Sequence, residues 1–320
     1  MSEVSDSRAT TQAAPAEKLG ELHGLGAKKP RSLWSNAWRQ YRRHTMALGG
    51  TFVFIFLILF AVFGPAIYGK STMAIDIAGA GQAPSLAHPM GTDALGHDEL
   101  AQIMWGGRVS IAVGVVAMLV SISLGTLVGA VSGYFGGFLD SVLMRITDLF
   151  LALPTLPLLL LIIYLFRDSL TKALGTLFGI FILIVVVIGG LAWMPVARLV
   201  RGSFLSVKEM EFIQAARCIG ANTNSLIFKH ILPNTLSPVI VAATLGVGAA
   251  IITESTLSFL GLGFPPDTPT WGRLLYDAQD YIQIQPYLVL FPGIMIFLAV
   301  LSINYIGDGL RDAIDPQHTL

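Results

Sequence analysis

Six long apolar stretches, almost free of charge, constrain the fold of this 320-residue chain more than any other feature. They lie near residues 47–67, 109–131, 147–166, 174–197, 234–254 and 286–307. A helix of about 20 apolar residues, rising about 1.5 Å per residue, crosses roughly 30 Å of hydrocarbon. In that medium every backbone N–H and C=O must pair within the segment or around a closed barrel. These runs are continuous and do not alternate apolar with polar residues, so they do not fit barrel strands. The sequence therefore predicts an all-α membrane protein with six transmembrane helices. Its composition agrees, with 12% charged residues against about 25% in ordinary soluble domains.

The first run begins after 46 mostly polar residues and is followed by no small-residue cleavage site, so it reads as a retained helix and not a removed leader. Residues 1–31 have the composition of a disordered cytoplasmic tail. Residues 32–46 set Leu33, Trp34, Trp38 and Tyr41 on one helical face and basic residues on the other, the pattern of an interfacial amphipathic helix. An even number of spans puts both termini on one side. That side carries 15 of the 20 Lys and Arg residues, which makes it cytoplasmic, together with the 198–233 loop and the 311–320 tail. The formal net charge of zero gives no global field for nucleic acid. The single cysteine, Cys218, falls on the reducing side and is expected to pack within its loop.

Several segments carry candidate chemistry. In the loop from Tyr68 to Arg108, His88, Asp93, His97, Asp98 and Glu99 are a conceivable metal set, but they lack an i, i+4 His pair or a compact tetrahedral spacing. Asp98 and Glu99 are better explained as the cap and first turn of a short helix. Gly133 to Asp140 is glycine-rich, yet no Lys follows its last glycine as a phosphate loop requires, so it reads as a helix hairpin. Arg145 and Asp148 stand one turn apart as an expected intrahelical pair. Pro154 and Pro157 should kink the third span, either as packing or as a hinge. The fifth span is rich in small residues (Ala242, Ala243, Gly246, Gly248, Ala249, Ala250) and ends at Glu254, expected near the outer interface as a gate or as a hydrated acid. Glu254, Asp148 and Pro154 are the candidate pathway or gate residues. No residue set points to catalysis, a cofactor or a metal.

The stretch from Glu211 to Asn234 is a polar island between spans. Phe212, Ala215, Ala216 and Ile219 fall at i, i+3, i+4, i+7 and predict one short helix with a small apolar face. Gly220 suits a left-handed cap, and Asn222 or Thr223 can cap a second helix running to Lys229. Pro233 is expected to break the chain before the fifth span. The product is a compact helix-turn-helix knob. The largest segments outside the spans are about 30 to 46 residues, too short for a domain that hydrolyses ATP, since independent domains run about 50 to 250. A motor, if there is one, belongs to a partner.

This stretch resembles the cytoplasmic coupling loop of bacterial ABC importer permeases. That loop reads Glu-Ala-Ala, three residues, Gly, nine residues, Ile-x-Leu-Pro. Glu211 opens the stretch, and Gln214, Ala215, Ala216, Gly220, Leu232 and Pro233 match in register, with Gln214 in place of Glu and His230 in place of Ile. The runs His88 to Asp98, Gly133 to Gly137, Met144 to Pro154, Leu257 to Gly263, Pro269 to Gly272 and Gly307 to Pro316 are similar to the C-type subunit of the dipeptide, oligopeptide and nickel permeases. His97 departs from the Arg usual in that family. The resemblance covers roughly residues 32 to 317 and implies the type I ABC importer permease fold in a bacterial inner membrane. It implies partners too: a homologous B-type permease, two cytoplasmic ABC ATPases that hold ATP and Mg, an extracytoplasmic substrate-binding protein and the lipid bilayer. The implied activity is non-catalytic passage of dipeptides or oligopeptides, with nickel or glutathione-like solutes as the alternative cargo. An ion-gradient-driven secondary transporter would need intramembrane ionisable residues or two repeated halves, and an intramembrane hydrolase a nucleophile with a central His or paired acids. The sequence offers neither set.

Overall fold

The structure, a computed structural model, describes residues 33–314. The 1–31 tail, residue 32 and residues 315–320 lie outside the described residues. Among the described residues the helices are α1 (Leu33–Tyr41), α2 (Thr45–Tyr68), α3 (Glu99–Phe135), α4 (Gly137–Ala152), α5 (Thr155–Leu174), α6 (Thr176–Gly190), α7 (Trp193–Lys208), α8 (Glu211–Cys218), α9 (Thr223–Phe259), α10 (Trp271–Ala278) and α11 (Tyr287–Ile314). Helices α2, α3, α9 and α11 are each long and apolar enough to cross a membrane. The pairs α4 with α5 and α6 with α7 bend by 88° and 42°, and the count reaches six when each bent pair is one span.

The third span differs from the expected kinked helix over 147–166. Helix α4 ends at Ala152, Leu153 is extended, and α5 begins after Pro154 at its N-cap. A proline at a helix start loses nothing, because the first-turn N–H groups have no intrahelical partner. Pro154 thus stands between two helices, and Pro157 falls in the first turn of the second. The second span also outgrows its charge-free core, as α3 is 37 residues long and begins at Glu99, inside the expected loop. Arg108 does not stop it, because the guanidinium folds back to donate to the carbonyls of Ala61 and Val62 and lies 4.8 Å from the Trp105 ring centroid. The fifth span runs straight through Pro233, where a break was expected. A π segment at Leu226–Ile231 leads into Pro233, and Asn234 Nδ2 donates to the His230 carbonyl at 2.6 Å. A π turn shifts the pairing register, so the missing proline N–H falls where the helix accommodates it.

Helix α3 is the central strut. Gly125, Gly129 and Gly133 recur every four residues along its face toward α7, and side chains there would collide with Val196, the Ala197 carbonyl and Phe204. Close backbone approach through small residues is how helices associate where lipid offers no hydrophobic drive. The expected small-residue helix, α9, uses this device more sparingly: Gly246 lies under Met118, while Gly248 keeps ordinary van der Waals distance from α11. Helix α1 packs on the last turns of α11, with Tyr41 buried against Ala47 and Ala313 and Gln40 Nε2 donating to the Asp312 carbonyl at 2.9 Å. Tyr41 therefore faces protein, and Trp38 stays exposed beneath Arg42. This end of the bundle also carries the α7–α8–α9 connection. The 69–98 loop and α10 lie at the other end.

Candidate functional site

The α7–α8–α9 connection is rigidly mounted. Arg201 grips Asp140 of α4 through Nε and Nη2 at 2.6 and 2.7 Å, and Lys208 Nζ donates to the Tyr134 carbonyl at 2.8 Å. These contacts fix the end of α7 against the α3–α4 corner. Helix α8 then turns Ile213 and Ala216 into a core built from Val200, Phe204, Val207, Leu226 and Ile231. Its C-terminus closes in a Schellman motif: Ala221 N–H to the Ala216 carbonyl at 3.0 Å and Gly220 N–H to the Arg217 carbonyl at 3.0 Å. Gly220 supplies the left-handed residue at φ 86°, with nothing within 4 Å of where a Cβ would sit. Asn222 Oδ1 accepts the Ser225 N–H at 2.8 Å and caps α9, one of the two capping residues expected.

The expected apolar face is only partly the buried one. Ala216 is buried, but Phe212, Ala215 and Ile219 are exposed, and Ile213 takes the inner place. Glu211 is exposed in the first turn of α8, where a carboxylate suits the helix dipole. Gln214 is exposed and donates through Nε2 to the Glu209 carbonyl at 3.2 Å, a bond that a carboxylate at this position cannot make. Leu232 is half-buried and Pro233 exposed on the same side as the knob. Cys218 is exposed and does not pack within the loop as expected. The second short helix merges into α9, leaving one free-standing helix in the knob.

The three candidate pathway residues do not meet. Asp148 pairs with Arg198 of α7, not with Arg145, and both partners are solvent-accessible. Pro154 is exposed at the α4–α5 corner. Glu254 is fully buried instead of hydrated, with Ser110 Oγ donating to Oε2 at 3.1 Å and Ser258 Oγ to Oε1 at 2.7 Å. Ser110 Oγ also accepts the Trp271 N–H at 3.3 Å, and Trp271 Nε1 donates to the Ile103 carbonyl at 3.1 Å. This polar knot ties α3, α9 and α10 together. Nothing in the linear spacing of Ser110, Glu254 and Trp271 announces it.

At the end opposite the knob, Asp98 organises the 69–98 loop. Its Oδ1 caps α3 by accepting the Ala101 N–H at 3.0 Å, and its Oδ2 meets Tyr68 Oη at 2.8 Å, Lys70 Nζ at 3.0 Å and His88 Nδ1 at 2.8 Å. Burial by itself raises the pKa of Asp98, but the bonds from Lys70, the Ala101 N–H, Tyr68 and His88 outweigh it and hold the carboxyl below its ordinary value. His97 contacts Asp93 Oδ2 through Nδ1 at 2.7 Å. Among the described residues, no three His, Cys, Asp or Glu side chains converge as metal ligands.

With this geometry in place, comparison with known proteins decides the family. Residues 125–319 match the model of the binding-protein-dependent transport system inner membrane component, and residues 32–84 match the N-terminal TM domain of oligopeptide transport permease C. The chain belongs to the binding-protein-dependent transport permeases of the inner membrane. This permease is 40% identical over 286 residues to the dipeptide transport system permease protein DppC of Alkalihalophilus pseudofirmus, covering 89% of this chain and 90% of the relative. It is 36% identical over 309 residues to the oligopeptide transport system permease protein OppC of Bacillus subtilis, covering 97% and 95%. The glutathione transport system permease protein GsiD of Pectobacterium atrosepticum is 36% identical over 306 residues, covering 93% of this chain and 96% of the relative. The fold is shared with a chain of the MetNI methionine ABC transporter in an inward-facing conformation, at TM-score 0.53 and 19% identity, covering 67% of this chain and 96% of that one.

Proposed function

We propose that this permease carries dipeptides or oligopeptides inward as the C-type half of an ATP-driven importer, with α8 as the surface through which cytoplasmic ATPases move it. The observation that carries the reading is the construction of α8. It is braced from behind by Ile213, Ala216 and the Gly220 cap, while Phe212, Ala215 and Ile219 present a small apolar face outward. An exposed apolar patch on a rigid mount is suited to a partner groove. Both termini and the 198–233 connection are then cytoplasmic, in keeping with the bias of Lys and Arg. A homologous B-type permease completes the translocation path, and a binding protein delivers cargo to the opposite end. The chain itself hydrolyses no ATP, and ATP and Mg are held by the ATPase subunits. In that assembly Glu254, Asp148 and Pro154 have distinct roles: Glu254 holds the outer knot, while Asp148 and Pro154 fix the α4–α5 corner. Peptide cargo is supported by the relatives named for dipeptides and oligopeptides, and the relative named for glutathione, itself a tripeptide, falls within the same chemistry.

The test is reconstitution of the full complex in liposomes with ATP inside. Uptake of a labelled dipeptide should require both ATPases and should cease in Gly220→Trp, while that variant inserts and assembles normally. Undiminished uptake by the variant would remove α8 from the coupling role. Failure of unlabelled peptides to compete, with competition by a nickel complex instead, would overturn the peptide assignment.

A further inference from the structure

A cavity of about 360 Å³ opens between the 69–98 loop, the start of α3, and α10. Its charged lining is Asp93, His97, Glu99, Arg273 and Asp277. Four of these five are already matched. His97 Nδ1 meets Asp93 Oδ2 at 2.7 Å, and Arg273 contacts Asp277 through Nε at 3.0 Å and Nη2 at 2.6 Å. Glu99 is left over. It is 3% exposed, it lines the cavity, and its Oε1 is buried with no hydrogen-bond partner. Burial beside Asp93, Asp98 and Asp277 disfavours the ionised form of Glu99 until a cation joins it, and with Glu99 ionised and His97 protonated the wall carries one negative charge in excess.

An unsatisfied buried carboxyl oxygen costs stability that no contact within the chain repays here, and such a liability marks a place where a ligand supplies the missing partner. The chemistry of the vacancy defines that ligand. The oxygen lacks a donor, so the ligand brings an N–H as well as positive charge. The volume far exceeds one ion, no three metal-ligating side chains converge among the described residues, and Met73, Leu274 and Tyr281 supply an apolar and aromatic wall. An aromatic ring beside a cation adds attraction. We infer that this cavity is a binding site for a small alkylammonium, a primary amine on a short apolar body, with Glu99 as its counter-ion. The Asp93–His97 and Arg273–Asp277 pairs shape the walls and leave the charge of Glu99 to the ligand. The site lies at the end of the bundle opposite α8 and stands independently of the coupling role assigned to that helix.

The experiment uses the purified full-length chain in detergent, without ATPases, so its outcome is separate from that of the uptake test. Thermal unfolding is followed against n-butylammonium chloride, with n-butanol, sodium chloride, magnesium chloride and tetramethylammonium chloride as controls. The expected result is a saturable rise in melting temperature with n-butylammonium alone, because butanol has no charge and tetramethylammonium has no N–H. Glu99→Gln should weaken that response by about tenfold or more, the worth of one charge-assisted hydrogen bond. Without ligand, the same variant should melt close to the wild-type temperature, since burial already favours the neutral carboxyl and the amide is its uncharged near-isostere. No response in the wild type, an equal response to magnesium or tetramethylammonium, or an undiminished response in Glu99→Gln overturns the site. If Glu99→Gln does not fold, Ala94→Trp at the exposed cavity mouth decides: loss of the response supports the site and its retention overturns it.

Discussion

Gly220 and Asp98 show how single residues fix the two ends of the molecule. Gly220 adopts φ 86° in open space, so the objection to a side chain there is conformational and not steric. Gly220→Ala should destabilise the α8 cap by about 1 to 2 kcal/mol, the cost of left-handed backbone for an L-residue. Gly220→Leu should cost nearly the same and Gly220→Asn less. Chemical denaturation of the three variants checks this, and a loss that grows with side-chain size would contradict the open geometry. Asp98 carries a pH signature. Its folded pKa lies below its unfolded value, so its contribution is present above about pH 3.9 and is lost as pH falls through the lower folded pKa. Acidification below about pH 4 should therefore loosen the 69–98 loop in the wild type, while Asp98→Asn should be loosened already at neutral pH and lack that acid step. Hydrogen exchange of the loop amides against pH reads both. Gly220 was legible in the sequence because a glycine after a short amphipathic run has few other uses. The partners of Asp98 were not, since Tyr68, Lys70 and His88 reach it only after the loop folds back.

The α3–α7 contact is the element on which the mounting of α8 depends. At Gly129 a Cβ would lie 2.5 Å from the Ala197 carbonyl and 2.7 Å from Val200 Cβ. Backbone cannot give way as a side-chain tip can, so Gly129→Val should cost about 1 to 3 kcal/mol as overpacking and displace α7. Gly202, exposed within α7 with nothing near its Cβ position, is the matched control. Gly202→Ala should stabilise the helix by about 0.5 to 1 kcal/mol. Unfolding of the two variants in the same detergent tests the pair, and equal effects would refute the close-packed reading of α3. The spacing Gly125, Gly129, Gly133 stands in the sequence, but so do the small residues of α9. Only the positions of the neighbouring helices distinguish a stripe that carries a contact from one that does not. The prolines follow the same logic: Pro154 and Pro233 look alike in sequence, yet one begins a helix after an 88° turn and the other is absorbed behind a π segment.

At the scale of the whole molecule, helices α1 and α11 end together beside the α7–α8–α9 connection, and the Asp98 loop, the Glu254 knot and the Glu99 cavity gather at the opposite end. This polarity yields a direct test of orientation. Cys218 is the single cysteine of the chain and is exposed on α8. A membrane-impermeant maleimide should label it in inverted vesicles and not in intact spheroplasts. Labelling from outside would reverse the cytoplasmic assignment of both termini and of the knob. The charge bias of the loops predicts this orientation from the sequence, because basic side chains resist translocation wherever they stand in three dimensions.

Whatever depends on local composition was legible in the sequence: spans long enough for hydrocarbon, a short helix between them and its glycine cap. These follow from transfer free energy and backbone conformation, which act over a few turns of chain. The tertiary structure alone decided which face of α8 is buried, whether a proline separates two helices or lies within one, that Asp148 pairs with Arg198, and that Glu254 is caged by hydroxyls. It also separated Glu99, which has no donor, from Asp98, its neighbour in sequence, which has four. Burial and pairing are properties of residues brought together from distant parts of the chain, so they exist only once the helices have packed.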